Sequence, residues 1–288
     1  MSGRIGVAIG ILSCSFGAGA AVATRYLIGD SDAITLAAIR FGGGFLCVAP
    51  LALLLGAQWP ARGDRAAVIG LGFLFYGVFF VFYNLALHFT TVARGTLALS
   101  TLPLMTMAVA ALLGRERLTL RKSIGVLVAV GGVVVALASG LAAAPAGAWR
   151  GDLIMAGATL CMAVYSIYSR PYATRSSPLG MLALGMAAGG LAMVAASVAT
   201  GGVHSLGGFG AGEWLAAFYL AAGGGAAAFL LWIYALQRAS PTQVTNTMTA
   251  NPMVAAMLAA GLLGEPITVN VIAGLAAVAV GLWISTTA

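Results

Sequence analysis

Charge is what this chain has least of. Asp, Glu, Lys and Arg make up 7% of its 288 residues, against about a quarter in an average soluble domain. So little charge cannot coat a water-facing surface around 61% hydrophobic residues, so the chain's solvent must be largely lipid. The seven acidic residues are Asp30, Asp32, Asp64, Glu116, Asp152, Glu213 and Glu265. All sit at or beside the ends of apolar runs, which leaves no carboxylate cluster for a metal and no deep acid for a proton relay. Cysteine is scarce too. Cys14, Cys47 and Cys161 lie singly inside apolar runs without paired spacing and read as packing residues. No glycine-rich stretch is followed by Lys-Ser/Thr in a strand–helix context, so nucleotide hydrolysis is excluded. Neither a metal nor a cofactor is expected. The net charge of +7 is spread over short loops without interleaved aromatics, so a nucleic-acid partner is not expected either.

What the chain does have is apolar length. Ten segments stand out, at about 5–24, 34–56, 67–87, 92–114, 123–142, 152–170, 178–200, 213–236, 243–264 and 268–287. Each is close to the roughly 20 residues that cross a bilayer as a helix. Alternating segments of about ten residues, the mark of a membrane barrel, do not occur. The apolar run after Arg4 is longer than a signal-peptide core and reads as a retained first span. With the N-terminus in the cytoplasm, ten basic loop residues fall inside and three (Arg25, Arg94, Arg150) outside. That bias places both termini inside.

Two stretches repeat. "PLMTMAVAALLGRE" begins at Pro103 and "PMVAAMLAAGLLGE" at Pro252, 149 residues later. A further glycine follows each, Gly125 and Gly274. The loop at the end of the first copy carries four basic residues, Arg115, Arg117, Arg121 and Lys122, and that at the end of the second none, as expected if matching loops face opposite sides. Five spans per half is an odd number, so the second half enters the membrane inverted. The expected fold is therefore an all-α integral membrane protein, with ten transmembrane helices in two inverted five-helix repeats, residues 1–145 and 146–288. Such repeats place a solute site near the midplane between the halves.

These two stretches, with "SFG" at Ser15–Gly17 and "IRF" at Ile39–Phe41, resemble the ten-helix EamA-type branch of the drug/metabolite transporter superfamily. The resemblance spans essentially the whole chain. It implies export of small metabolites across the inner membrane, amino acids and their analogues among them. The chain departs from the family at Phe16, where tryptophan is frequent, and at Asn251, where an acidic residue is frequent. The second departure argues against carboxylate-based coupling at that position.

The candidate site residues follow from polarity within apolar spans. Pro103 and Pro252 each remove a helical hydrogen bond and are expected to act as hinges. Thr242, Thr245, Asn246 and Thr249 form one helical stripe that must face protein or water. With Asn84 and Ser100 it is a candidate polar end for a zwitterionic solute. Tyr83 and Trp232 are candidates for its apolar end. Tyr76, Phe80 and Asn84 share a face with Tyr83, and Tyr165, Tyr168 and Tyr172 another. Tyr172, Trp149 and Trp214 read as interfacial belt residues. Arg40, some six residues inside its span, and His88 are candidates for steering charge. Both also have structural readings, Arg40 by snorkelling to the outer surface or by stapling loop carbonyls. "GVAIG", "GMAAG", "FGGGF" and "GGGAAAF" mark tight helix crossings.

The expected function is a secondary transporter exporting neutral or aromatic amino acids by alternating access, with amphipathic drugs or other metabolites as the alternative cargo. A channel or an intramembrane enzyme is the alternative of another class. The expected partners are a small solute and the bilayer, with no obligate protein partner and a monomer sufficing.

Overall fold

Proline and glycine punctuate the long apolar stretches into helices. The structure is a computed structural model describing residues 2–27, 29–87, 89–90, 95, 98–141, 147–251, 253–254, 257–258, 261 and 269–286. Among the described residues every regular element is helical. We label α1 (Ser2–Leu27), α2 (Ala33–Leu54), α3 (Arg62–Ala86), α4 (Leu102–Leu112), α5 (Leu120–Leu141), α6 (Ala148–Arg175), α7 (Pro178–Thr200), α8 (Ala211–Arg238), α9 (Pro241–Asn246) and α10 (Val269–Thr286). A 3₁₀ turn, Thr247–Ala250, continues α9.

Local chemistry sets the helix starts. Asp32 caps α2 and accepts from the amides of Ile34 and Thr35. Ser177 caps α7, with Pro178 at its first position. Ser240 and Gln243 form a capping box on α9, again with proline next. Each satisfies amides that would otherwise lack partners at a helix start. Gly201 ends α7 at φ +76°, where a side chain would strain the turn.

Six helical stretches are long and apolar enough to cross a bilayer, in α1, α2, α3, α6, α7 and α8, and run from 22 to 28 residues. At about 1.5 Å per residue the shortest reaches about 33 Å, against a hydrocarbon core of roughly 30 Å. Their outer faces are apolar: Leu46, Leu53, Leu215 and Phe218 are all exposed. In water that surface would aggregate; in lipid it is the solvated face. The chain is a multi-pass membrane protein.

Three of these helices are interrupted by π-helical turns: Ile39–Gly43 in α2, Leu74–Phe79 in α3 and Ala222–Ala227 in α8. The segments in α3 and α8 are six residues each and lie 148 positions apart, Leu74 to Ala222. A π turn shifts side chains around the axis and loosens the regular ladder.

The packing has a reciprocal pattern. Helix α1 packs on α8 and α6 on α3; α3 packs on α7 and α2 on α8; α4 packs on α6 and α1 on α9. Three further pairs, α2 with α7, α4 with α9 and α5 with α10, join helices five places apart in chain order. Small residues make the crossings. A Cβ on Gly125 would lie 2.8 Å from the Gly281 carbonyl oxygen, and one on Gly132 2.8 Å from that of Gly274. Gly6 meets Ala239, Gly10 meets Thr247, and Gly185 and Gly189 meet Gly72 and Tyr76. The glycine clusters marked in the sequence are therefore places where backbones touch.

Pro103 corrects the sequence reading in one respect. It does not bend a continuous helix. Residues 98–100 are helical, Thr101 turns, and α4 begins at Leu102 with proline in its first turn. There its missing N–H breaks no hydrogen bond. The Thr101 hydroxyl donates to the Ala98 carbonyl at 2.6 Å. Pro252, His88 and Glu265 lie outside the described residues.

Candidate functional site

Arg40 lies on the π turn of α2, inside a membrane-spanning helix. Its Nε donates to the carbonyl of Gly224, on the π turn of α8, at 3.1 Å. Arg40 thus binds a carbonyl within a helix, where the sequence reading offered loop carbonyls as one alternative. The guanidinium carbon sits 5.6, 5.8 and 5.7 Å from the ring centres of Phe41, Phe80 and Phe229. Tyr83 and Tyr219 are close enough to feel its charge. Among the described residues no carboxylate makes an ion pair with it.

A continuous aromatic cluster extends from there. Phe41 meets Phe80 edge-on at 4.5 Å, and Phe75 stacks on Tyr165 at 4.5 Å. The Tyr76 and Tyr165 hydroxyls share a hydrogen bond at 3.2 Å. Tyr83 stacks on Phe79. Trp232 is 2% exposed and belongs to the same buried cluster, as does Val244 of α9, with Tyr83 packed against its edge. Tyr83 and Trp232 are therefore parts of one apolar body. Of the three residues read as belt residues, Trp149 and Trp214 are exposed, whereas Tyr172 is half-buried against the core cluster.

The polar stripe of α9 is wholly buried: Thr242, Thr245, Asn246 and Thr249 are each 0% exposed. Most of its hydroxyls turn back on their own helix. Thr245 donates to Thr242, Thr247 to Val244 and Thr249 to Asn246. Asn246 Nδ2 donates to Ser285 of α10 at 2.7 Å. Three polar atoms here have no partner among the described residues: Trp232 Nε1, Thr242 Oγ1 and Asn246 Oδ1. An unsatisfied buried group costs about 1–3 kcal/mol, so these three mark where a further polar partner is favoured. Ser100 is buried and Asn84 half-buried.

Polar side chains also tie α9 to the segment after α4. Lys122 and Glu116 form an ion pair, both largely buried. The other Glu116 oxygen accepts from the Thr242 amide at 3.1 Å, and Lys122 donates to Ser240 Oγ at 3.2 Å. Beside this latch is a cleft of about 460 Å³ lined by Arg115, Arg170, Pro171 and Thr174. The sequence marks Glu116 only as the end of a repeat and Lys122 only as a loop charge; their further partners, Thr242 and Ser240, lie more than a hundred positions away. Among the described residues no group of three His, Cys, Asp or Glu is placed to hold a metal.

The model of the EamA-like transporter family matches residues 4–138 and 149–287. An uncharacterized transporter of Archaeoglobus fulgidus is 24% identical over 277 residues, covering 95% of each chain. The uncharacterized inner membrane transporter YedA of Escherichia coli (strain K12) is 30% identical over 246 residues, 82% of this chain and 75% of its own. A solved crystal structure superposes with a TM-score of 0.82 at 21% identity, over 98% of this chain and 97% of its own; that likeness concerns the fold alone.

Proposed function

Since the chain belongs to the EamA-like transporter family and is a membrane transporter by that kinship, we propose that it is a secondary carrier that exports small metabolites, neutral or aromatic amino acids foremost, across the inner membrane. It works by alternating access between two inverted five-helix halves, residues 1–145 and 146–288, with both termini in the cytoplasm.

One observation carries this reading. The spacing of 149 that relates Pro103 to Pro252 also relates Gly125 to Gly274 and Gly132 to Gly281. Gly125 meets Gly281 and Gly132 meets Gly274, so Gly125 contacts the equivalent of Gly132, and Gly132 the equivalent of Gly125. That is the arrangement a two-fold axis produces. The matching π turns of α3 and α8 and the reciprocal helix pairs support the same axis.

In this reading the solute lies between the halves. Tyr83 and Trp232 meet its apolar part, and Asn84, Ser100, Thr245, Asn246 and Thr249 supply polar contacts. Arg40 and His88 steer charge. Pro103 and Pro252 act as the hinges about which the halves rock. Without a deep carboxylate, transport is facilitated export or exchange. The test is counterflow of radiolabelled phenylalanine in proteoliposomes of the purified protein. Saturable exchange is expected. Flux that does not saturate would argue for a channel, and uphill accumulation driven by a pH gradient would argue against the uncoupled mode.

A further inference from the structure

Arg40 poses a problem of electrostatics. A charge inside a membrane span is costly and needs compensation. The side chain is half-buried between helices of both halves, with Phe41, Phe80 and Tyr83 on one side of the chain's midpoint and Tyr219, Gly224 and Phe229 on the other. Three ring faces and one carbonyl attract it, but none neutralises it. A guanidinium has five N–H donors. Nε–H is used on Gly224, and no hydrogen bond among the described residues uses the four on the Nη nitrogens. Those four form the planar fork that matches a carboxylate with two parallel hydrogen bonds.

The remaining charge inventory points the same way. Among the described residues Asp30 lies in the turn before α2, Asp32, Asp64, Asp152 and Glu213 stand just before a helix or in its first turns, and Glu116 pairs with Lys122. Among the described residues Arg40 is therefore a cation within a span that has no fixed anion beside it. Such a site attracts anionic groups and repels an ammonium that arrives without one. The aromatic rings around the guanidinium also offer faces to an apolar or aromatic body carried next to that anionic group.

We propose that Arg40 is the anchor for the substrate's carboxylate, and that the carrier selects carboxylate-bearing solutes with an apolar or aromatic body over their amines and amides. This rests on the carrier reading above and gives it a chemical rule: the carboxylate is required and the ammonium is not. It separates amino acids and 2-oxo acids, which are accepted, from cationic amphipathic drugs, which are refused.

The experiment compares four solutes that share one ring: phenylalanine, phenylpyruvate, phenylethylamine and phenylalaninamide. Binding to the purified protein is read by thermal shift, and transport by counterflow in proteoliposomes. Both carboxylates should bind and exchange, with the amine and the amide about 10- to 100-fold weaker, the range for losing charge-assisted hydrogen bonds. Arg40→Gln should lose the carboxylates and abolish the discrimination. Arg40→Lys, which keeps the charge but not the fork, should bind them more weakly than wild type while still preferring them to the amine. The wild-type comparison stands even if a variant fails to fold. Amine or amide handled as well as the acid, or a folded Arg40→Gln that still binds phenylalanine normally, overturns the anchor and leaves the carrier reading standing. If none of the four binds or moves, the anchor falls, and with it the proposed class of cargo.

Discussion

Gly132 lies against Gly274 so closely that a methyl group on the first would sit 2.8 Å from the carbonyl oxygen of the second. Their counterparts at the same spacing, Gly281 and Gly125, repeat the contact, with a Cβ on Gly281 falling 2.6 Å from the Gly125 carbonyl oxygen. Helices α5 and α10 are thus held backbone to backbone, and in the proposed carrier they form one seam between the halves.

The seam makes a prediction with its own control. Gly132→Ala and Gly281→Ala should each destabilise the protein by about 1–3 kcal/mol, the usual range for overpacking. Gly131→Ala, one position along α5, meets nothing within 4 Å and should be neutral or slightly stabilising, because alanine is the better helix former. Thermal melts in detergent give the comparison. Equal effects at Gly131 and Gly132 would contradict the close contact.

The buried pair of Glu116 and Lys122 should behave as a coupled unit. Removing one partner leaves the other buried and uncompensated, at about 3–5 kcal/mol. Glu116→Gln and Lys122→Met should each lower the melting temperature strongly, and the double variant should recover part of the loss. Additive losses in a double-mutant cycle would show that the two side chains act separately.

Asp32 supplies a pH dependence. Its partial burial by itself raises the carboxyl's pKa, but the Thr35 hydroxyl and the Thr35 and Ile34 amides bind the ionised form and hold it below the usual carboxylate range. A depressed pKa contributes stability that is fully present above the unfolded value, about 3.9, and lost as pH falls through the folded one. Asp32→Asn should flatten that acid limb of the melting profile, and Asp32→Ala should also cost about 1 kcal/mol at neutral pH through loss of the cap. An unchanged acid limb in Asp32→Asn would contradict this.

Trp232 separates packing from solute contact. Trp232→Phe keeps most of the ring in the cluster and removes the indole N–H that lacks a partner among the described residues. Stability should change by less than about 1.5 kcal/mol, while counterflow slows or its half-saturation rises. Unchanged kinetics in both Trp232→Phe and Asn246→Ala would remove these residues from the site.

The sequence was most readable where one property dominated. Apolar length marked α7 at residues 178–200, and the structure places Pro178–Thr200 there. Glycine clusters marked backbone crossings, because closeness needs small residues whatever the partner. Pro103 was harder to read. A proline in an apolar run signals either a kink or a new start, and the choice depended on the Thr101 turn. The π turns left no signal at all, since "LFYGVF" and "AGGGAA" have little in common beyond their place in the chain. Arg40 was conspicuous as a charge in a span, but Gly224 and Phe229 come to it from more than 180 positions away. Asn246 was flagged for its polarity, and only the packing of α10 shows that its amide reaches Ser285.

The most direct test of the central claim is the sidedness of two matched loop positions. Arg117 follows the first repeated stretch and Pro266, 149 residues on, follows the second. With Cys14, Cys47 and Cys161 replaced, a single cysteine at either position is challenged with a membrane-impermeant maleimide in sealed vesicles of known orientation. The account predicts that Arg117→Cys labels only from the cytoplasmic face and Pro266→Cys only from the opposite one; labelling of both from the same face would contradict it.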